Sequence, residues 1–254
     1  MTVRTSICGK VAALPEKLSK RLRQRGISDA IGWCLYQFGW RWREWRLGAR
    51  TREFQHGVVV GDDGEFNGYE PIDYRCFDAV LDYMQPISQH DVFLDYGCGM
   101  GRAVIMAATQ PFARVLGVEI DNKLAAVARQ QIDRVRRRGK LACQAVEIFE
   151  ADASRWKVPS DVNHIFLFNS FTGNLLQETL HQIRQSALAN PRCLKIIYIQ
   201  PISDEDPLSE LPWLQLEREL STGYWMHVRS RVYGIDISMD AMSESDGTTT
   251  VSRV

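Results

Sequence analysis

Between residues 68 and 240, short and wholly apolar runs alternate with longer segments whose apolar positions recur every three or four residues. The short runs fall at 92–96, 114–120, 144–149, 164–168 and 194–200, the last stopped by Pro201. The periodic segments at 75–84, 102–109, 121–138 and 175–188 predict helices, and the basic end of 121–138 suits a carbonyl terminus. Strands apolar on both sides and separated by helices predict an α/β chain with a parallel sheet covered on both faces. Residues 217–221 and 225–234, joined around Gly223, predict a closing antiparallel hairpin.

The first 67 residues follow another pattern. EKLSKRLRQR at 16–25 predicts a short solvated basic helix, and Ser28 is an N-cap candidate for a second helix from about Asp29. There Ile31, Cys34, Leu35, Phe38, Trp42 and Trp45 share one helical face, with Arg41, Arg43 and Arg46 beside or opposite it. Three readings are open. The face packs on the body with its arginines solvated, which fits best; the helix lies on a membrane surface; or its interleaved Arg and aromatic residues touch nucleic acid, which fits least. The turn-rich stretch GDDGEFNG at 61–68 marks the boundary. The expected organisation is a basic, Trp-rich helical arm at 1–67, a body at 68–240 and a Ser/Thr-rich disordered tail at 241–254.

Charge sharpens this division. The chain of 254 residues has a formal net charge of zero, but residues 1–50 hold 11 Lys/Arg against 3 Asp/Glu, and the remainder holds 20 against 28. A basic arm is attached to an acidic body. With 45% hydrophobic and 24% charged residues, collagen-like, coiled-coil and wholly disordered chains are excluded. The six cysteines form no CxxC pair and the five histidines are scattered, so spacing suggests neither a disulfide framework nor a metal site. No apolar run approaches the length of a membrane span. The first 15 residues lack acids and a signal-type apolar core, a faint likeness to a transit peptide. The expected location is the cytoplasm, with peripheral membrane contact through the arm as a further option.

Candidate chemistry gathers where the predicted strands end, which is where ligands of such sheets lie. Gly97, Gly99 and Gly101 follow the first strand, and glycine there permits a tight turn and close approach to the backbone. A dinucleotide fingerprint would place its third glycine at 102, where this chain has Arg102. Glu119 ends the second strand, where a carboxylate can accept both hydroxyls of a ribose. Asp152 ends the third, either meeting an adenine amine through its carboxylate or the adjacent amide, or merely capping the segment from Ala153. Asn169 follows the fourth, where it could equally be a turn residue satisfying its own backbone.

LDYGCGMG, GVEI, EADA and FLFNSF, in that order and spacing, resemble the class I S-adenosylmethionine-dependent methyltransferases over about residues 68–236. The resemblance implies a Rossmann-like, seven-stranded, mostly parallel sheet with helices on both faces and an antiparallel C-terminal hairpin. It implies S-adenosyl-L-methionine as cofactor: Asp95, Gly97, Gly99 and Gly101 for the methionine moiety, Glu119 for the ribose, Asp152 and Ala153 for the adenine. Gly68-Tyr69-Glu70-Pro71-Ile72-Asp73-Tyr74 is similar to the loop that folds over the cofactor in non-SET histone lysine methyltransferases and related bacterial proteins. Tyr69 and Tyr74 are therefore candidates for closing the cofactor or substrate pocket, or else pack a connecting loop. Asn169-Ser170-Phe171 stands where amino-group methyltransferases carry an Asn-Pro-Pro-Tyr-like signature, with Ser170 departing from the proline form.

Methyl transfer from a sulfonium is an in-line displacement, which needs alignment rather than a metal or a covalent nucleophile. An amine acceptor must first lose a proton, and Glu70 is a candidate base or a solvated loop acid. The expected function is transfer to a nitrogen of a protein lysine or small amine, with Asn169 positioning the acceptor and Phe171 bordering its path. The alternatives are a non-catalytic module of the same fold and a nucleotide-dependent enzyme of another chemistry.

Overall fold

The structure is a computed structural model describing residues 8–52, 69–201, 206–220 and 228–235. It divides into two compact units, Met1–Leu47 and Gly48–Val254. The segment 61–68, the hairpin turn around Gly223 and the tail 241–254 lie outside the described residues.

In the first unit, helix α1 (Cys8–Leu47) is interrupted at Gly26, whose φ of 85° and ψ of 177° are not helical. The predicted apolar face is present in the second half of α1. Ile31, Leu35, Phe38, Trp42 and Trp45 are exposed, whereas Ala30 and Trp33, from the opposite side of the helix, are buried.

The second unit is built on a sheet of strands β1 (Val92–Tyr96), β2 (Arg114–Glu119), β3 (Val146–Glu150), β4 (His164–Phe168), β5 (Lys195–Pro201), β6 (Leu214–Leu220) and β7 (Val228–Ile235). Their spatial order is β3-β2-β1-β4-β5-β7-β6. Strands β1 to β5 pair in parallel, and β7 runs antiparallel between β5 and β6. This is the Rossmann-like architecture with its closing hairpin. Helices α2 (Tyr74–Met84), α3 (Arg102–Ala108), α4 (Asn122–Arg137) and α5 (Gly173–Ala189) connect or cover the strands.

The alternation of β1 explains the two layers. Val92, Leu94 and Tyr96 join Leu175, Leu176, Leu180 and Ile183 of α5 in one core. Phe93 points to the other face, where Phe77 of α2 meets it edge-on at 5.8 Å and meets Phe166 of β4 at 5.2 Å. A strand buried on both faces has no polar side to alternate with, which is why these runs read as continuous apolar stretches. Asp73 caps α2 by accepting the N–H of Arg75 and Cys76, and Asp121 caps α4 by accepting those of Lys123 and Leu124. Each such cap is worth about 1 kcal/mol.

Candidate functional site

The carboxyl ends of β1, β2 and β4 converge on the turn 97–101. Gly97, Gly99 and Gly101 have φ of 69°, 55° and 79°, the left-handed region that a side chain penalises. The N–H groups of Gly97 and Cys98 both donate to the Val118 carbonyl, at 2.9 and 3.0 Å, tying the turn to β2. Space is as restrictive as conformation. A Cβ on Gly99 would lie 2.4 Å from a ring carbon of Tyr69, and one on Gly97 would lie 2.6 Å from Cβ of Ser170.

Glu119 ends β2 and is buried. Its Oε2 accepts the Gly99 N–H at 2.7 Å and its Oε1 the Asp121 N–H at 3.0 Å. Burial pushes its carboxyl above the ordinary range, against the pull of those two bonds. Asp95, on β1, is fully enclosed, and burial followed by the charge of Glu119 pushes its carboxyl well above the ordinary range. With Glu119 opposing the ionisation of buried Asp95, a cationic group beside the pair would be favoured.

Asp152, just past β3, already has work of its own: Oδ1 accepts the Ser154 N–H at 3.0 Å and the Ser154 hydroxyl at 2.7 Å. Ala153 beside it is buried. Directly after Glu119 comes Ile120, an apolar side chain 48% exposed.

At the end of β4, Asn169 has φ 44°, the single positive φ outside glycine among the described residues. Its N–H donates to the Ile199 carbonyl at 2.9 Å, which fixes it to β5. The Ser170 hydroxyl donates to the Tyr96 carbonyl at 2.7 Å, so the residue replacing proline here fastens β4 to the start of the glycine turn. Phe171 is buried, its ring edge-on to Tyr96 at 6.5 Å within the main core.

Residues 50–52 and 69–74 pass over this turn. The Tyr69 hydroxyl donates to the Thr51 carbonyl at 2.8 Å while its ring lies against Gly99. Arg102, 3% exposed at the start of α3, donates from Nε to Thr51 Oγ1 at 2.7 Å and from a terminal nitrogen to the Ile72 carbonyl at 2.8 Å. Its guanidinium lies 4.8 Å from the ring centre of Tyr74, which is itself buried. Glu70 is exposed. The structure thus brings Tyr69, Asp95, Gly97, Gly99, Glu119, Asn169 and Ser170 to one place, with Asp152 and Ala153 at the next strand end. Tyr74 and Phe171 are buried around it.

Arg102, Thr51 and Ile120 were not singled out for this site by sequence reasoning. The departure from glycine at 102 was the available signal for Arg102; an isolated Thr51 before a turn-rich stretch offered none. Among the described residues, no group of His, Cys, Asp and Glu could hold a metal ion.

Residues 93–188 match the family model described as "Methyltransferase domain". An RNA methyltransferase from Salinibacter ruber, solved in complex with S-adenosyl-L-homocysteine, is 20% identical over 66% of this chain and 95% of its own, with a TM-score of 0.50. The structure of yhhF from Escherichia coli, described as a candidate methyltransferase, is 17% identical over 68% of this chain and 90% of its own, with a TM-score of 0.51. No curated protein matches the chain significantly. The matched domain, the sheet order and the strand-end site support a likeness to the class I S-adenosylmethionine-dependent methyltransferases, with the family match itself confined to residues 93–188.

Proposed function

We propose that the protein transfers a methyl group to a nitrogen, on a protein lysine or a small amine, and that Asn169 positions the acceptor. The observation that carries this reading is the left-handed backbone of Asn169, held between the Ile199 carbonyl and the Ser170–Tyr96 bond at the mouth of the glycine turn. A non-glycine residue kept in that conformation costs about 1 kcal/mol or more, and such strain gathers at functional sites.

The residues fit the cofactor. Glu119, fixed by the Gly99 and Asp121 N–H groups, would accept the ribose hydroxyls. Asp95 and the turn 97–101 would hold the methionine moiety, whose ammonium offsets the two buried carboxylates. The exposed face of Ile120 and the segment at Asp152–Ala153 would take the adenine, and Asp152 Oδ2, which lies 3.8 Å from Nε of exposed Arg155, would accept from its amine. When bound, S-adenosylmethionine supplies an electrophilic methyl group on a sulfonium. Tyr69 closes the turn against water, and Tyr74, pressed on Arg102, supports that closure. Asn169 offers its side-chain oxygen to the N–H of a neutral amine, leaving the lone pair directed at the methyl group. Exposed Glu70 is the candidate to take the amine's proton beforehand. Phe171 shapes the acceptor side from below.

Free cysteines, with Cys76, Cys98 and Cys143 buried, support a reducing compartment and hence a cytoplasmic location. The test is Asn169→Gly, which keeps the backbone geometry and removes the amide. Full-chain protein incubated with labelled S-adenosylmethionine and a lysine-peptide and amine panel should lose methyl transfer while cofactor binding persists. Transfer at the wild-type rate would overturn the role given to Asn169.

A further inference from the structure

The second half of α1 exposes six large apolar side chains that the methyltransferase site does not use. Ile27, Ile31, Leu35, Phe38, Trp42 and Trp45 are 70, 55, 64, 69, 48 and 73% exposed. At about 100° per residue they fall within an arc of roughly 80°, a narrow stripe along one side of the helix. Apolar surface of this extent on a soluble chain marks a contact face.

The residues flanking the stripe decide what covers it. From Ile31 to Trp45 the steps are four, three, four and three, the spacing of a two-helix seam, so a second copy of this helix is one candidate. The flanks oppose it. Arg41 lies about 40° to one side of the stripe and Arg46 about 20° to the other, by the same helical geometry. In a parallel pair Arg41 would face the partner copy's Arg46 across the seam; in an antiparallel pair each arginine would face its own counterpart. Like charges there repel, and the remaining flanking positions are Gly32, Cys34 and Gly39, which contribute no compensating acid.

A surface carrying phosphate or carboxylate headgroups reverses this balance. Apolar side chains enter the headgroup boundary while the two arginines extend to the anionic groups on either side. Tryptophan is suited to that depth, its ring apolar and its N–H wet. The Arg46 guanidinium lies 5.3 Å from the Trp42 ring centre, pairing a flanking charge with a stripe aromatic. The preceding half of α1 adds exposed Lys20, Arg23 and Arg25. No described helix is long and apolar enough to cross a membrane, so the contact is one of lying on the surface. We propose that the stripe Ile27–Trp45 seats the protein on an anionic lipid surface, independently of which acceptor the active site methylates.

The experiment is co-sedimentation of the full chain with vesicles of phosphatidylcholine alone and of phosphatidylcholine mixed with phosphatidylglycerol, at low and high salt. Binding should be confined to the anionic vesicles and fall at least ~10-fold as salt screens the arginines. A Leu35→Ser/Phe38→Ser/Trp42→Ser variant should lose it, and an Arg41→Glu/Arg46→Glu variant, which keeps the whole stripe, should lose it also. Calorimetric affinity for S-adenosylmethionine should be unchanged in both variants, which shows folding and separates this outcome from any failure of the proposed methyl acceptor. No wild-type binding to anionic vesicles would overturn the proposal. So would a dimer, read by light scattering, that dissociates in the serine variant, or retention by single-stranded RNA without vesicle binding.

Discussion

Oε2 of Glu119 accepts the backbone N–H of Gly99 at 2.7 Å, joining the last residue of β2 to the centre of the turn after β1. One carboxylate therefore shapes the glycine turn and is also the group proposed to accept the ribose hydroxyls. Removing it should damage two things at once. For Glu119→Ala we expect a fall of at least ~100-fold in cofactor affinity, consistent with losing two or more charge-assisted hydrogen bonds. Glu119→Gln keeps one acceptor and should fall between wild type and Ala in a calorimetric titration.

The burial of Asp95 near Glu119 predicts a pH dependence with a definite sign. Burial and like charge raise the folded-state pKa of Asp95 above its unfolded value, so the folded state retains the proton to higher pH. The favourable contribution is full below the ordinary carboxylate range and is lost as pH rises through the raised pKa. In the absence of cofactor, the wild type should lose stability relative to Asp95→Asn as pH rises from the ordinary carboxylate range toward alkaline pH. Urea unfolding of both proteins across that range checks this; parallel curves would show that Asp95 is not the source.

Arg102 fastens the segments that cross the turn. Arg102→Met removes the donor to Thr51 Oγ1 and to the Ile72 carbonyl and leaves Tyr74 without its stacked guanidinium. The expected cost is about 3 kcal/mol in chemical unfolding, with weakened cofactor affinity because Tyr69 is held by the same Thr51. Arg102→Lys keeps the charge but not the fork that spans two partners, and should recover only part of the loss.

Truncation separates the arm from the site. Deleting residues 1–47 removes the first compact unit and should leave cofactor affinity within about twofold of wild type, since every residue proposed to hold the cofactor belongs to the second. Extending the deletion through residue 52 takes away Thr51 and should lower it. Equal affinities for the two truncations would show that Thr51 does not support Tyr69.

The strands at 92–96 and 164–168 were legible to the residue because they are apolar on both faces and end in abrupt turn chemistry. The third strand begins two residues later than expected and β6 begins three residues earlier. Val146–Glu150 carries exposed Glu147, and Leu214–Leu220 is exposed along most of its length, so burial gave little pattern to read. The strand-end acids and the glycine spacing were visible because ligand chemistry restricts residue type there. Ser170 and Arg102 were harder: each acts through contacts with residues far off in the chain, Tyr96 and Thr51, which spacing does not reveal. The arm stripe is visible in the sequence as one helical face, but amphipathicity alone does not say what the face meets.

Calorimetric titration decides whether the turn 97–101 and Glu119 form an S-adenosylmethionine site. The full chain should bind S-adenosylmethionine and its demethylated product saturably, one per chain, show no heat with NAD, and lose the first two signals in Glu119→Ala. Binding of NAD instead, or S-adenosylmethionine affinity untouched by Glu119→Ala, would overturn that assignment.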